Sequence, residues 1–123
     1  DKVTYFMLKG TTDRELKDIP EIVSDWLKQG VLILPTAITA KLEGKAHKKL
    51  WEPFMMRVIE ALNRKHKKIP WVLIGGEGVN KYQEDIASPY TKSIEIPKNK
   101  EKTTWPTWVN DVLEMEGKQQ IKW

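Results

Sequence analysis

The sequence predicts an α/β domain: a small, mainly parallel four-stranded sheet with helices on both faces, spanning residues 1–123 as one unit. Three observations carry this expectation. Short apolar or β-branched runs alternate with amphipathic helical stretches, the order that produces parallel strands and crossover helices. Two of the runs, Val31–Leu34 and Trp71–Ile74, are apolar throughout, as strands covered on both faces are. No repeat and no linker interrupts the pattern.

Val3 to Leu8 (VTYFML) is rich in β-branched and aromatic residues and reads as the first strand. Pro20 suits a first helical turn. Ile22, Val23, Trp26 and Leu27 form a helical stripe, and Gly30 falls just past the helix end. Val31 to Leu34 is then a second strand, too short and apolar for a surface helix. The next helix is expected from about Pro53 to His66, with Phe54, Met55, Val58, Ile59 and Leu62 on one side and Arg57, Glu60 and Arg64 on the other. Trp71 to Ile74 is a third strand, leading through Gly75-Gly76-Glu77-Gly78 into a short helix. Ser93 to Ile96 is a fourth, stopped by Pro97. Thr104 is placed to cap a last helix with Pro106 in its first turn; Trp105, Trp108, Val109, Val112 and Leu113 face inward, and Gly117 ends it.

Composition narrows the function classes. At 123 residues the chain is long enough for a real core without staples. It has no cysteine, so disulfides and thiolate metal sites are excluded and a reducing compartment is compatible; a cytoplasmic location, or the host-cell interior for a viral protein, is the expectation. The two histidines, His47 and His66, cannot make a structural zinc site alone. No membrane span, metal or cofactor is expected. The net charge of +4 is unevenly placed: residues 41–68 hold nine basic and three acidic side chains, while the remainder of the chain is slightly acidic. Such a segment is either a footprint for phosphate or a solvated lysine-rich surface, and composition leaves both readings open.

In parallel α/β folds ligands sit beyond the carboxyl ends of the strands. Those ends are Pro35-Thr36, Gly75-Gly76 and Pro97-Lys98. The Gly75–Gly78 run lacks the third glycine of a dinucleotide fingerprint, where Lys81 stands, and lacks the Gly-Lys-Ser/Thr of a P-loop. Glu77 would also meet the positive end of a helix dipole itself. A tight turn with close backbone packing is the favoured reading. His66, among Arg64, Lys65, Lys67 and Lys68 at a helix C-terminus, is read as structural. Of the six tryptophans, Trp26, Trp71 and Trp108 are assigned to packing rather than to base stacking. No serine, cysteine or carboxylate pair stands at a spacing that implies catalysis.

The run Trp26 to Leu34 (WLKQGVLIL), Thr36, and Gly44 to Phe54 (GKAHKKLWEPF) resembles the middle of the uracil-DNA glycosylases. That family shows a Trp-x-x-Gln-Gly-Val-Leu-Leu-Leu-Asn-Thr segment, a histidine-bearing loop and a Trp-Glu-x-Phe helix start. Trp71 to Gly75 is similar to its Leu-Leu-Trp-Gly strand end, Gly117 to Trp123 (GKQQIKW) to its Gly-x-x-Pro-Ile-Asp-Trp ending, and Val3 to Gly10 to its Leu-Ala-Phe-Ser-Val strand. The departures fall on the chemistry. The family's water-activating aspartate belongs to a Gly-Gln-Asp-Pro-Tyr-His motif, which does not occur in this sequence. Its uracil-reading asparagine is replaced by Pro35, which has no amide to pair with a base edge. Its anion-stabilising histidine is replaced by Lys98.

The resemblance therefore implies a degenerate pocket at Pro35, Thr36, Gly75 and Lys98, with no catalytic residue assigned. His47 matches a family histidine near the DNA backbone. With Lys41, Lys45, Lys48, Lys49, Lys98, Lys100 and Lys102 it makes the expected DNA-binding set. Three readings follow: a non-catalytic protein bound to DNA through phosphates, a protein-interaction module such as a viral accessory or inhibitor meeting a replication or repair protein, or a glycosylase whose aspartate-bearing part lies outside this sequence.

Overall fold

A computed structural model describes residues 19–37, 41, 47–95 and 104–123 of the chain. The expected strand at Val3–Leu8 lies outside them, as do Ile96 and Pro97 at the expected end of the last strand.

Among the described residues the order is α1 (Ile19–Lys28), α2 (Lys48–Lys65), β1 (Trp71–Ile74), α3 (Glu77–Asn80), a single 3-10 turn (Gln83–Asp85), β2 (Thr91–Ile94) and α4 (Trp105–Met115). β1 and β2 form a two-stranded parallel sheet in the register Trp71↔Thr91 through Ile74↔Ile94. Parallel neighbours need a long crossover, and here α3 and the 3-10 turn supply it. The Gly75 N–H donates to the Ile94 carbonyl at 3.1 Å and carries the pairing one residue past the strand end.

β1 shows why the sheet is covered twice. Side chains alternate across a strand, and Val72 and Ile74 pack on one cluster while Trp71 and Leu73 belong to another. The first cluster joins Ile22 and Trp26 of α1 to Trp105, Val109 and Leu113 of α4, with Ile94 of β2 against it. The second joins Met55 and Ile59 of α2 to Leu73, Tyr82 and Ile86. Each fully buried side chain of this size contributes roughly 1.5–3 kcal/mol relative to exposure. The helices-on-both-faces expectation holds for the described sheet.

Four details differ from the sequence reading. The described sheet has two strands; of the four expected, Val3–Leu8 lies outside the described residues and Val31–Leu34 is not a strand. Val31–Leu34 is described and is not a strand: its ends pack, Val31 on the first cluster and Leu34 on the second, but Leu32 and Ile33 between them are 56% and 41% exposed. An apolar run becomes a strand only where a neighbouring backbone takes its hydrogen bonds, and β1 and β2 pair with each other instead.

The last strand runs Thr91–Ile94 rather than from Ser93, because pairing to the four residues of β1 sets its bounds. α2 begins at Lys48, five residues before Pro53, which lies inside the helix. The first intrahelical bond is Trp51 N–H to the His47 carbonyl at 3.3 Å, so Pro53 removes the donor for the Lys49 carbonyl only. Smaller corrections concern single side chains. Leu27 and Phe54, expected on apolar faces, are exposed. Thr104 occupies the cap position of α4 without a side-chain capping bond.

Candidate nucleic-acid interface

The start of α2 is one of two basic clusters at the ends of that helix. His47 holds the N-cap position without capping through its side chain, Lys48 and Lys49 open the helix exposed, and no acidic residue lies in the first turn. The positive end of the helix dipole and two ammonium groups thus coincide. Glu52, one turn further, is engaged by Lys81, and that hydrogen bond holds the Lys81 ammonium above its ordinary 10.5.

Lys48 also reaches the glycine turn: a Cβ placed on Gly78 would lie 3.1 Å from its Nζ. The turn itself runs through Gly75 and Gly76 with φ of +132° and +70°, backbone that side chains rarely adopt. A Cβ on Gly75 would press on Val79 at 3.1 Å. The Gly76 carbonyl accepts from the N–H groups of Val79 and Asn80 at 3.0 and 2.9 Å. The run is a tight turn, as the sequence reading favoured, but the expected close backbone packing is not met: the near neighbours of Gly75 and Gly78 are side chains, and a Cβ on Gly76 would meet nothing within 4 Å.

The predicted site residues are distributed as follows. Pro35 is exposed, directly after Leu34, whose side chain packs on the cluster that Val79 also meets. Thr36 and Gly75 are half-buried, and Lys41 is exposed. Lys45, Lys98, Lys100 and Lys102 lie outside the described residues. The structure brings Lys48 and the Gly75–Gly78 turn together. It separates the rest of the basic segment: Arg64, Lys65, His66, Lys67 and Lys68 stand at the far end of α2, about 25 Å away at 1.5 Å per residue. Among the described residues no three His, Cys, Asp or Glu side chains are grouped to hold a metal, and no helix is long and apolar enough to cross a membrane.

Sequence reasoning missed two features beside this site. One is the Glu52–Lys81 pair tying α2 to the end of α3, which opposite charges on separate elements give no local signal to find. The other is the contact between two segments quoted separately for the family resemblance. The Gln29 amide donates to the Lys122 carbonyl at 3.0 Å and accepts from the Lys122 N–H at 2.8 Å. The Trp26 indole donates to the Trp123 carbonyl at 3.2 Å, and the two rings meet edge to face with centroids 5.1 Å apart. The Gln-Gly-Val segment and the Ile-Lys-Trp ending are thus one structural unit.

A uracil-DNA glycosylase of Vibrio parahaemolyticus is 30% identical over 123 aligned positions, covering 90% of this chain and 54% of the relative. The chain is a distant homologue of the uracil-DNA glycosylases. The enzyme of Streptococcus equi subsp. zooepidemicus is 33% identical over 112 positions, with 82% of this chain and 51% of the relative covered. That of Clostridium perfringens is 41% identical over 75 positions, 58% of this chain. This homologue spans about half the length of the curated relatives it matches. No protein-family model matches it, and no solved structure does.

Proposed function

We propose that this glycosylase homologue binds DNA through its phosphates, as an accessory in replication or repair, and does not excise uracil. Pro35 carries the reading. In the resemblance it stands where an asparagine reads the base, and a pyrrolidine ring offers neither donor nor acceptor to the edge of uracil. A base-excising pocket needs that amide to select its substrate and a general base to activate water. The site keeps what phosphate binding requires: an acid-free first turn of α2, Lys48 and Lys49 exposed, and His47 at the cap. Lys41, Lys45, Lys98, Lys100 and Lys102 complete the proposed set.

A second reading is supported by Leu32 and Ile33, adjacent apolar side chains left 56% and 41% exposed. Adjacent exposed apolar residues are the mark of a protein-interaction surface, and the partner would then be a replication or repair protein. In the third reading the chain is part of an active glycosylase whose aspartate is contributed from outside this sequence. A DNA titration at two salt concentrations beside a uracil-excision assay separates the three.

A further inference from the structure

α2 uses one side for the core, through Met55 and Ile59. At 100° per residue, Leu50, Phe54, Arg57, Ala61 and Arg64 fall on the opposite side, and all five are exposed. Leu50 is 71% and Phe54 44% exposed, large apolar side chains on the solvent side of a helix whose apolar packing is already satisfied elsewhere. Trp51 meets the Phe54 ring edge to face, centroids 5.6 Å apart, and so braces it. Cations border this stripe at both ends, Lys49 before it and Arg57, Arg64 and Lys65 along and after it, with Glu60 the acid nearby. An exposed, braced aromatic ring within a row of cations matches a ligand that is polyanionic and also presents flat apolar faces. Duplex DNA hides its base faces in the stack; a single strand exposes them.

We propose that the outer face of α2 is a single-strand nucleic-acid track, on which Phe54 stacks an unpaired base while Lys49, Arg57 and Arg64 contact phosphates. This deepens the DNA-binding reading and rests on it. It uses Arg57, the cation between the basic clusters at the two ends of the helix, and it gives the chain a preference for unpaired DNA that a phosphate contact alone would not. An anionic membrane would satisfy the charges, but it would not require a ring held at a fixed angle by a neighbour.

The test is fluorescence anisotropy with labelled oligo(dT) and a duplex of equal length, on the parent, Phe54→Leu, and Arg57→Gln with Arg64→Gln. The parent is expected to bind the single strand more tightly than the duplex. Phe54→Leu keeps the apolar volume and removes the π face, so oligo(dT) affinity falls about 5- to 100-fold while duplex affinity holds. The double arginine variant, altered only at exposed positions, weakens binding to both and lowers the salt dependence by about two phosphate contacts. Equal affinity of the parent for both DNAs, or a Phe54→Leu protein with unchanged oligo(dT) affinity, overturns the track and leaves the DNA-binding reading standing. A parent that binds neither DNA at low salt overturns both, and one that binds anionic vesicles instead assigns the face to a membrane surface.

Discussion

The Gln29 side-chain amide and the Lys122 backbone exchange two hydrogen bonds, 3.0 Å from Nε2 to the carbonyl and 2.8 Å from the N–H to Oε1. Asn110 repeats the arrangement on the preceding residue, donating to the Ile121 carbonyl at 2.9 Å and accepting from the Ile121 N–H at 2.8 Å. Asn63 does the same for the loop after the 3-10 turn, donating to the Asp85 carbonyl at 2.6 Å and accepting from Ala87 N–H at 2.9 Å. An amide carries a donor and an acceptor side by side, as a peptide unit does. Chain segments outside the sheet are thereby fixed by side-chain amides.

Asn110→Ala removes both bonds to Ile121 at a part-buried site. It should lower stability by about 1–3 kcal/mol, read from urea unfolding. Gln29→Ala, whose bonds to Lys122 are exposed, should lose about 0.5–1.5 kcal/mol. Equal, negligible losses would mean that water replaces these amides at no cost.

Alkaline pH should destabilise the fold. Lys81 holds its proton above its ordinary 10.5 through its bond to Glu52. Tyr82 is raised above 10.0 because burial penalises the phenolate, and Tyr90 because its hydroxyl donates to Glu116. All three bind their proton more tightly folded than unfolded. Their contributions are therefore intact below about pH 10 and are lost as pH rises through the raised values. The urea midpoint should stay level from neutrality to that point and then fall. Tyr90→Phe should remove its share of the fall, whereas a rise in stability above pH 10 would show the opposite sign.

Pro35→Asn should not restore uracil excision, because on the proposed reading it supplies neither the general base, whose motif does not occur in this sequence, nor the histidine that the resemblance aligns with Lys98. Releasing the restraint that proline places on the unfolded chain should cost up to about 1 kcal/mol of stability. Calorimetric binding of free uracil by this variant would show a pocket that still accepts the base.

The parts of the fold visible in the sequence are those set by local periodicity. Ile22 and Trp26, Met55 and Ile59, and Val109 and Leu113 are spaced for one face of a helix and are buried there. What escaped depends on partners distant in the chain. Val31–Leu34 has a strand's composition, but hydrogen bonding decides a strand, and apolarity cannot report it. Ile94 and Ile96 suggested a strand centred later than β2, whose limits come from its register with β1. The amides of Gln29, Asn63 and Asn110 read as ordinary polar surface until the backbone they hold is placed. For the site, the basic segment was legible as a count but not as a shape: α2 begins five residues before Pro53 and holds the charges apart at its two ends, with Arg57 between.

The central claim is that this glycosylase homologue holds DNA by its phosphates and leaves uracil in place. The direct measurement is a titration of uracil-containing DNA at two salt concentrations, with uracil release followed in the same samples. The account predicts weak, sequence-independent binding, a slope of log affinity against log salt near −3 to −4 for about four phosphate contacts, and no release. Replacing Lys45, Lys48 and Lys49 by glutamate should abolish binding with the fold retained. Uracil release at the rate of an ordinary glycosylase would contradict the account, as would a parent with no affinity for DNA at low salt.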